Sequence, residues 1–106
     1  MKPPLTAAQR LDRTVTESEL QLFVNDLLRL HGWTWHHAGD SRRSSAGLPD
    51  IVAVRPPRVL FAELKRELGR TSQVQDEWLG NLMACPGAET YLWRPSDMEE
   101  IMEVLK

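Results

Sequence analysis

The chain lacks the features of several protein classes. It has a single cysteine, Cys85, among 106 residues, so it cannot form an internal disulfide, and a reducing compartment is expected. It has no run of eighteen apolar residues and no apolar signal segment near its N-terminus, which predicts a soluble, cytoplasmic protein. Repeats and low-complexity segments are also missing. What remains, with 42% hydrophobic and 26% charged residues, is typical of one small globular domain.

The chain also lacks a strong excess of charge of either sign, since its net charge at pH 7 is −2. The charge is nevertheless unevenly distributed. Residues 38–70 carry seven Lys or Arg and four Asp or Glu, a balance of +3, whereas residues 71–106 carry two basic and seven acidic residues, a balance of −5. The central segment therefore either contacts a polyanion or forms an ordinary mixed surface, and charge alone favours neither.

The pattern of apolar residues predicts three helices and four strands. Residues 1–14 have two early prolines and no periodicity, which predicts a flexible N-terminal tail before a domain at residues 15–106. Thr16 and Glu19 form a capping box that starts the first helix, and Ser96 is the expected cap of the last one. The element order αβββαβα predicts an α/β domain with a mixed sheet of about four strands and helices on both faces.

Two runs rich in β-branched residues, 51–54 and 59–64, flank the sequence Arg-Pro-Pro-Arg, which predicts a hairpin. If Pro56 and Pro57 form its tip, the numbers of directly opposing residues sum to 113. A one-residue bulge in either strand would break this register. The hairpin is therefore a prediction about specific residue pairs, which a structure can test directly.

The predicted register brings three charged residues to the open end of the hairpin. Asp50 and Glu63 sum to 113 and face one another, and Lys65 lies two residues further on the same face. Two carboxylates this close repel, so one takes up a proton unless a cation lies between them, and Mg²⁺ or Mn²⁺ suits such oxygen ligands. In the alternative, Asp50 caps the end of the strand, while Glu63 and Lys65 are exposed charges.

The motifs around this pair resemble those of the VRR-NUC family, within the PD-(D/E)xK nuclease superfamily, and specifically its small stand-alone phage and bacterial members. The resemblance extends over residues 16–106 and includes, in order, TESELQ, DSRRSSAGLPD, FAELK, SQVQDEW and YLWRPSD. A bare PD…ExK pattern is weak, but this ordered set in a chain of this length is specific. It implies a restriction-endonuclease-like core and hydrolysis of phosphodiester bonds in DNA.

The resemblance also implies roles for individual residues. The aspartate of the PD motif and the glutamate of the ExK motif bind the metal, which corresponds to Asp50 and Glu63. The backbone carbonyl of Leu64 adds a further ligand. Lys65 orients the attacking water and stabilises the charge that develops on the phosphorus centre.

Two further residues are implied by the resemblance, each with an alternative. A glutamate on the first helix completes the acidic cluster, and Glu17 is favoured because it lies about 60° from the centre of the apolar stripe, whereas Glu19 lies about 100° away and belongs to the capping box. Both are also acids that a helix N-terminus favours. Gln75 matches the family's glutamine after the ExK strand, yet Ser72 and Gln75 also form a capping box.

Basic residues near these motifs are candidates for contacts with DNA phosphates, although surface solubility explains each of them equally well. They are Arg42, Arg43, Arg66 and Arg70. His36 and His37 are predicted to be strand residues, since no second His or Cys pair stands at a zinc-binding spacing. Trp78 is predicted to lie in the core.

The resemblance implies a structure-selective DNA endonuclease that uses Mg²⁺ or Mn²⁺, with a Holliday-junction resolvase acting as a homodimer as the main hypothesis. One alternative is a flap-processing, nick-processing or restriction-like nuclease on the same fold. The other is a nuclease-fold module that binds DNA without cleaving it. The presence of Asp50, Glu63 and Lys65 together favours an active enzyme.

Overall fold

The computed structural model describes residues 1–38 and 46–106. Its helices are Ala7–Asp12 (α1), Glu17–Leu30 (α2), Gln73–Met83 (α3) and Met98–Leu105 (α4), and its strands are Thr34–His37 (β1), Ile51–Arg55 (β2), Arg58–Leu64 (β3) and Glu89–Trp93 (β4). Apart from α1 this is the predicted order, and the α/β fold with a four-stranded mixed sheet is confirmed. Among the helices of the described ranges, none is long and apolar enough to span a membrane.

Helix α1 was not expected, because residues 1–14 show no apolar periodicity. A complete capping box starts it: the Thr6 hydroxyl accepts from the Gln9 N–H at 3.1 Å, and the Gln9 side chain accepts from the Thr6 N–H at 2.9 Å. None of its residues is buried. The capping box stabilises the start of this helix within the predicted tail, and the flexibility of residues 1–14 stays a prediction. The domain boundary at residue 15 stays a prediction.

The sheet has the strand order β1-β2-β3-β4, in which β1, β2 and β3 are antiparallel and β4 is parallel to β3. The register of β2 and β3 is the predicted one. Arg55 pairs with Arg58 and Ile51 pairs with Ala62, so that each pair sums to 113. Asp50 comes one residue before the last pair, which sets it beside the end of β3.

The core lies between one face of this sheet and helices α2 and α4. Its buried members are Leu20, Val24, Leu28, Trp33, Ile51, Ala53, Leu60, Ala62, Leu64, Trp93, Ile101 and Leu105. The other face of β2 and β3 is also apolar, because Val52, Val54, Val59 and Phe61 alternate with the core residues. All four are only half-buried or exposed. One face of the hairpin is thus packed and the other is partly open.

Two expectations about packing and capping are wrong. Trp78 is half-buried and lines a surface cavity beside α3, outside the core cluster. Ser96 does not cap α4, which begins at Met98 after a single 3₁₀ turn, Pro95–Asp97. The Asp97 carboxylate accepts from the Arg94 N–H at 2.9 Å, while the Ser96 N–H donates to Glu67 at 3.1 Å. The aspartate therefore stabilises the turn, and the helix starts one residue later than a Ser96 cap predicts.

At the tip of the hairpin, two arginines tie the sheet to the C-terminal end of α4. The guanidinium carbons of Arg55 and Arg58 lie 4.6 and 4.8 Å from the centre of the Trp33 ring, a distance typical of cation–π contacts. Arg58 donates to both carboxylate oxygens of Glu89, at 2.6 and 2.7 Å, and to the Val104 carbonyl at 2.9 Å. Every charge in this cluster has a partner.

Candidate active site

The loop that leads into β2, residues 47–50 (Gly-Leu-Pro-Asp), follows a tightly constrained path. Gly47 has φ +83°, and a Cβ there would lie 2.5 Å from Val74 Cγ1 and 2.7 Å from the Val74 carbonyl carbon. Only glycine fits a positive φ at such a close approach to the start of α3. Pro49 is fully buried. The glycine and the proline of this motif therefore fix the position of the aspartate that follows.

Asp50 joins the ends of three strands. Its Oδ2 accepts a hydrogen bond from the Leu64 N–H at 2.8 Å, and its backbone carbonyl accepts from the Ala38 N–H at 2.8 Å. One carboxylate oxygen of Asp50 thus caps the end of β3, as the alternative interpretation of this residue predicted. The other carboxylate oxygen, Oδ1, takes no part in the hydrogen bond to Leu64.

Glu63 is buried rather than exposed, with 1% of its surface accessible. Burial, followed by the hydrogen bond to Asp50 and the charge of Asp50, raises the pKa of its carboxyl to about 9, against a smaller opposite effect of Lys65. Its Oε2 has no hydrogen-bond partner within the described residues. Thr90 and Trp93 also have one unpartnered buried atom each, but both groups are neutral.

Lys65 and Glu17 lie beside this pair. The Lys65 Nζ is 3.9 Å from Glu17 Oε1, and the two side chains are 14% and 52% exposed. Glu17 is the first residue of α2, whereas the Glu19 side chain accepts from the Thr16 N–H at 3.3 Å and so belongs to the capping box. Of the two candidate glutamates, Glu17 is the one that the structure brings to the site.

The acidic pair suits a divalent cation. A buried carboxyl group beside a second carboxylate, with one oxygen unpartnered, is stabilised in its charged form by a bound cation. No group of three His, Cys, Asp or Glu side chains in residues 1–38 and 46–106 is placed to hold a metal ion. Asp50 and Glu63 would therefore be the only side-chain ligands from these residues. That number is typical of Mg²⁺, which keeps several of its waters.

The remaining predicted site residues are Gln75 and four arginines. Gln75 forms the capping box of α3: its side chain accepts from the Ser72 N–H at 2.8 Å. Its role in catalysis stays a prediction. Arg66 and Arg70 are exposed in the segment that follows β3. Arg42 and Arg43, with most of the loop predicted at residues 38–47, lie outside the described residues.

Sequence reasoning missed a cavity of about 450 Å³ that adjoins Asp50 and Glu17. Its wall includes Gln21 and Asn25 of α2 and His37 at the end of β1. Gln21 is only 9% exposed, and its Nε2 donates to Asn25 Oδ1 at 2.7 Å. A glutamine next to the apolar stripe of a helix was the available signal, because a polar side chain at that border needs a buried partner.

Arg94 was also missed. Its Nη1 donates to the carbonyl oxygens of Arg66, Glu67 and Gly69, at 2.9, 3.2 and 2.7 Å. The segment that follows Lys65 is therefore held to the end of β4 by one guanidinium group. No local pattern predicts this contact, because the arginine lies at least 25 residues from the carbonyls that it binds.

Comparison with known proteins agrees with the fold. No protein-family model matches the sequence. No curated protein matches it either. Among solved structures, a chain described as "VRR_NUC domain" superposes with a TM-score of 0.66 over 84% of this chain and 97% of that one, at 16% sequence identity. The chain therefore has the fold of a VRR-NUC domain, which confirms the fold that its motifs imply.

Proposed function

We propose that the protein is a metal-dependent, structure-selective DNA endonuclease of the cytoplasm, which resolves Holliday junctions as a homodimer. The observation that carries this proposal is the buried Glu63 carboxyl group, which lies against Asp50 with an unpartnered oxygen and has Lys65 nearby. A buried carboxyl group beside a second carboxylate destabilises the fold when it ionises, so its presence suggests a functional reason. Metal binding at a nuclease fold supplies that reason.

Each residue of the site has a proposed task. Asp50, Glu63 and the Leu64 carbonyl hold the cation, which when bound polarises the phosphoryl oxygen and activates water. Lys65 stabilises the negative charge that develops on the phosphate, because its ammonium group lies at the edge of the acidic pair and its pairing with Glu17 fixes its direction. Glu17 completes the acidic cluster, and Gln75 contacts the scissile phosphate.

DNA is the proposed partner. Arg66 and Arg70 are exposed in the segment that follows β3 and begins with Lys65, so a phosphate backbone that crosses the site is proposed to contact both. We propose that Arg42 and Arg43 also contact the DNA phosphate backbone. Each of these arginines makes a sequence-independent contact, in keeping with recognition of DNA structure rather than of base order.

The homodimer is proposed from the partly open face of the hairpin. Val52, Val54, Val59 and Phe61 form an apolar surface that a second copy can cover. A two-fold dimer sets one active site on each of the two equivalent strands of a four-way junction. Light scattering together with analysis of paired nicks tests this point. A monomer that cuts one strand would favour the flap-processing or restriction-like alternative.

The decisive experiment incubates the purified protein with Mg²⁺ or Mn²⁺ and junction, flap, nicked, duplex and single-stranded DNA. Glu63→Gln is the matched control, because it keeps the shape of the protonated side chain. We expect junctions to be cut fastest by the wild type, and no cleavage by the variant or in excess EDTA. A preference for flaps selects the alternative nuclease. Binding without cleavage of any substrate selects the inactive DNA-binding module.

A further inference from the structure

The cavity beside Asp50 has a wall whose chemistry differs from that of the acidic pair. Ser18, Gln21, Leu22 and Asn25 follow the spacing i, i+3, i+4, i+7 and so form one face of α2. His37 and Leu64 contribute from the ends of β1 and β3. The acidic residues of the cavity, Glu17 and Asp50, lie at the end nearest the site. Within residues 1–38 and 46–106, the rest of the wall has no Lys or Arg.

The amide, hydroxyl and apolar side chains that the described residues give this wall suit a nucleobase better than a phosphate group. Phosphate requires cationic or clustered N–H donors, whereas side-chain amides hydrogen-bond to the edges of bases. Leu22 is 64% exposed in the same wall and offers an apolar surface to the face of a base or sugar. The volume of about 450 Å³ lies within the range of small-ligand sites.

The two amides are held in place before any ligand arrives. Gln21 is 9% exposed, and its Nε2 donates to Asn25 Oδ1 at 2.7 Å. This bond uses one donor of Gln21 and the acceptor oxygen of Asn25. Within residues 1–38 and 46–106 no other side-chain bond occupies Gln21 Oε1 or the Asn25 amide nitrogen, so the first can accept from a ligand and the second can donate to it. Side chains already fixed in this way lose little conformational entropy on binding.

One hydrogen-bond acceptor and one donor together match the Watson–Crick edge of every nucleobase. The Watson–Crick edge of each base has an adjacent donor and acceptor, such as N6–H and N1 of adenine or N3–H and O4 of thymine. In a duplex these groups are already paired and stacked, so only an unpaired base can offer them. A wall of this kind therefore recognises that a base is unpaired, and not which base it is.

We propose that this cavity binds the base of one unpaired nucleotide next to the scissile phosphate, and that Gln21 and Asn25 are its hydrogen-bonding partners. The inference rests on the proposed nuclease function, because the acidic pair locates the phosphate. The position of the cavity against Asp50 and Leu64 sets the bound nucleotide adjacent to the bond that is cut. Selectivity for branched DNA then follows, since branch points contain bases that leave the stack easily.

The first test measures binding without cleavage. Junction DNA carries a single 2-aminopurine at successive positions around the branch and is mixed with the wild-type protein in EDTA. We expect the fluorescence of one position to rise, because 2-aminopurine brightens when it leaves the stack. Gln21→Met and Asn25→Ala should reduce that rise, whereas Asn81→Ala, an exposed amide on α3, should not. No rise at any position overturns the proposal.

The second test uses the reaction. Removing the base at the same position by an abasic substitution should slow cleavage by the wild type about tenfold, the equivalent of one or two hydrogen bonds. The rate of the Gln21→Met, Asn25→Ala double variant should then be insensitive to the abasic site. Equal effects in the wild type and the double variant overturn the inference while leaving the nuclease intact. A fluorescence rise with no cleavage overturns the nuclease proposal and leaves the subsite.

Discussion

The two ends of the β2–β3 hairpin carry charged residues in unlike surroundings. At the tip, Arg58 donates to both oxygens of Glu89 at 2.6 and 2.7 Å, and this pairing lowers the pKa of Glu89. At the open end, Glu63 is 1% exposed, lies against Asp50 and has a pKa raised to about 9. The first end is electrostatically satisfied, whereas the second holds one acid that folding makes harder to ionise.

Under the proposed function, this difference separates residues that stabilise the fold from residues that serve its chemistry. Charged groups that stabilise a fold are paired within the protein, and this pairing shifts their pKa values in the direction that favours the charged form. Carboxylates that catalyse a reaction or bind a metal often lack a partner within the protein, because the ligand provides that partner. Substitutions at the two ends should therefore have opposite effects on stability and activity.

The largest expected effect is on activity at the open end. Asp50→Asn keeps an oxygen for the Leu64 N–H but removes a metal ligand, so it should reduce cleavage at least about 1,000-fold. DNA binding should be unchanged or slightly tighter, because a negative charge near phosphate is lost. Cleavage assays and fluorescence anisotropy measure the two quantities. Asp26→Asn, an exposed residue of α2, is the control, and equal losses in both variants would contradict the comparison.

The second effect is on the pH dependence of stability. Because the folded pKa of Glu63 is raised to about 9, the metal-free folded state binds its proton more tightly than the unfolded state does. This contribution is complete below the ordinary pKa of a glutamate and is lost as the pH rises toward 9. The Glu63→Gln variant should not lose stability in this way. Its unfolding free energy relative to that of the wild type should therefore increase as the pH rises, by at most about 1.4 kcal/mol per pH unit.

Urea denaturation of the metal-free proteins at pH 5, 7 and 9 measures this trend. Adding Mg²⁺ or Mn²⁺ to the wild type should reduce the slope, since a bound cation favours the charged carboxylate. A gap between variant and wild type that stays constant with pH would show that Glu63 does not titrate in this window.

The third effect is on the loop that carries Asp50. Gly47→Ala places a Cβ 2.5 Å from Val74 Cγ1 at a φ of +83°, so it should lower stability by about 1–3 kcal/mol and displace the aspartate. Cleavage should fall even at temperatures where the variant is fully folded. Gly87→Ala is the matched control, because a Cβ there meets nothing within 4 Å. Thermal unfolding and cleavage rates of the two variants test the prediction.

The smallest effect is on activity at the tip. Arg58→Ala removes the ion pair with Glu89, the bond to the Val104 carbonyl and the contact with Trp33, so it should cost about 1–3 kcal/mol of stability. Its cleavage rate, measured well below the unfolding temperature, should match that of the wild type. A fall in rate as large as that of Gly47→Ala would mean that the two ends of the hairpin are coupled.

Several elements could be predicted from the sequence because short-range patterns specify them. The capping box of Thr16 and Glu19 and the apolar stripe of α2 involve residues within one or two turns. The register of the hairpin follows from its tip. In an antiparallel pair without a bulge the residues pair one to one, so one known pair determines all the others. That register predicted the meeting of Asp50 and Glu63.

Other features were decided only by the tertiary structure. The burial of Glu63, the pairing of Arg58 with Glu89 and the cavity beside Gln21 depend on contacts between segments that lie far apart in the sequence. Such contacts depend on how the helices cover the sheet, and no local pattern encodes that arrangement. The sequence by itself thus determined which residues are candidates for the proposed chemistry, and the packing decided that Glu63 among them is buried with an unpartnered oxygen.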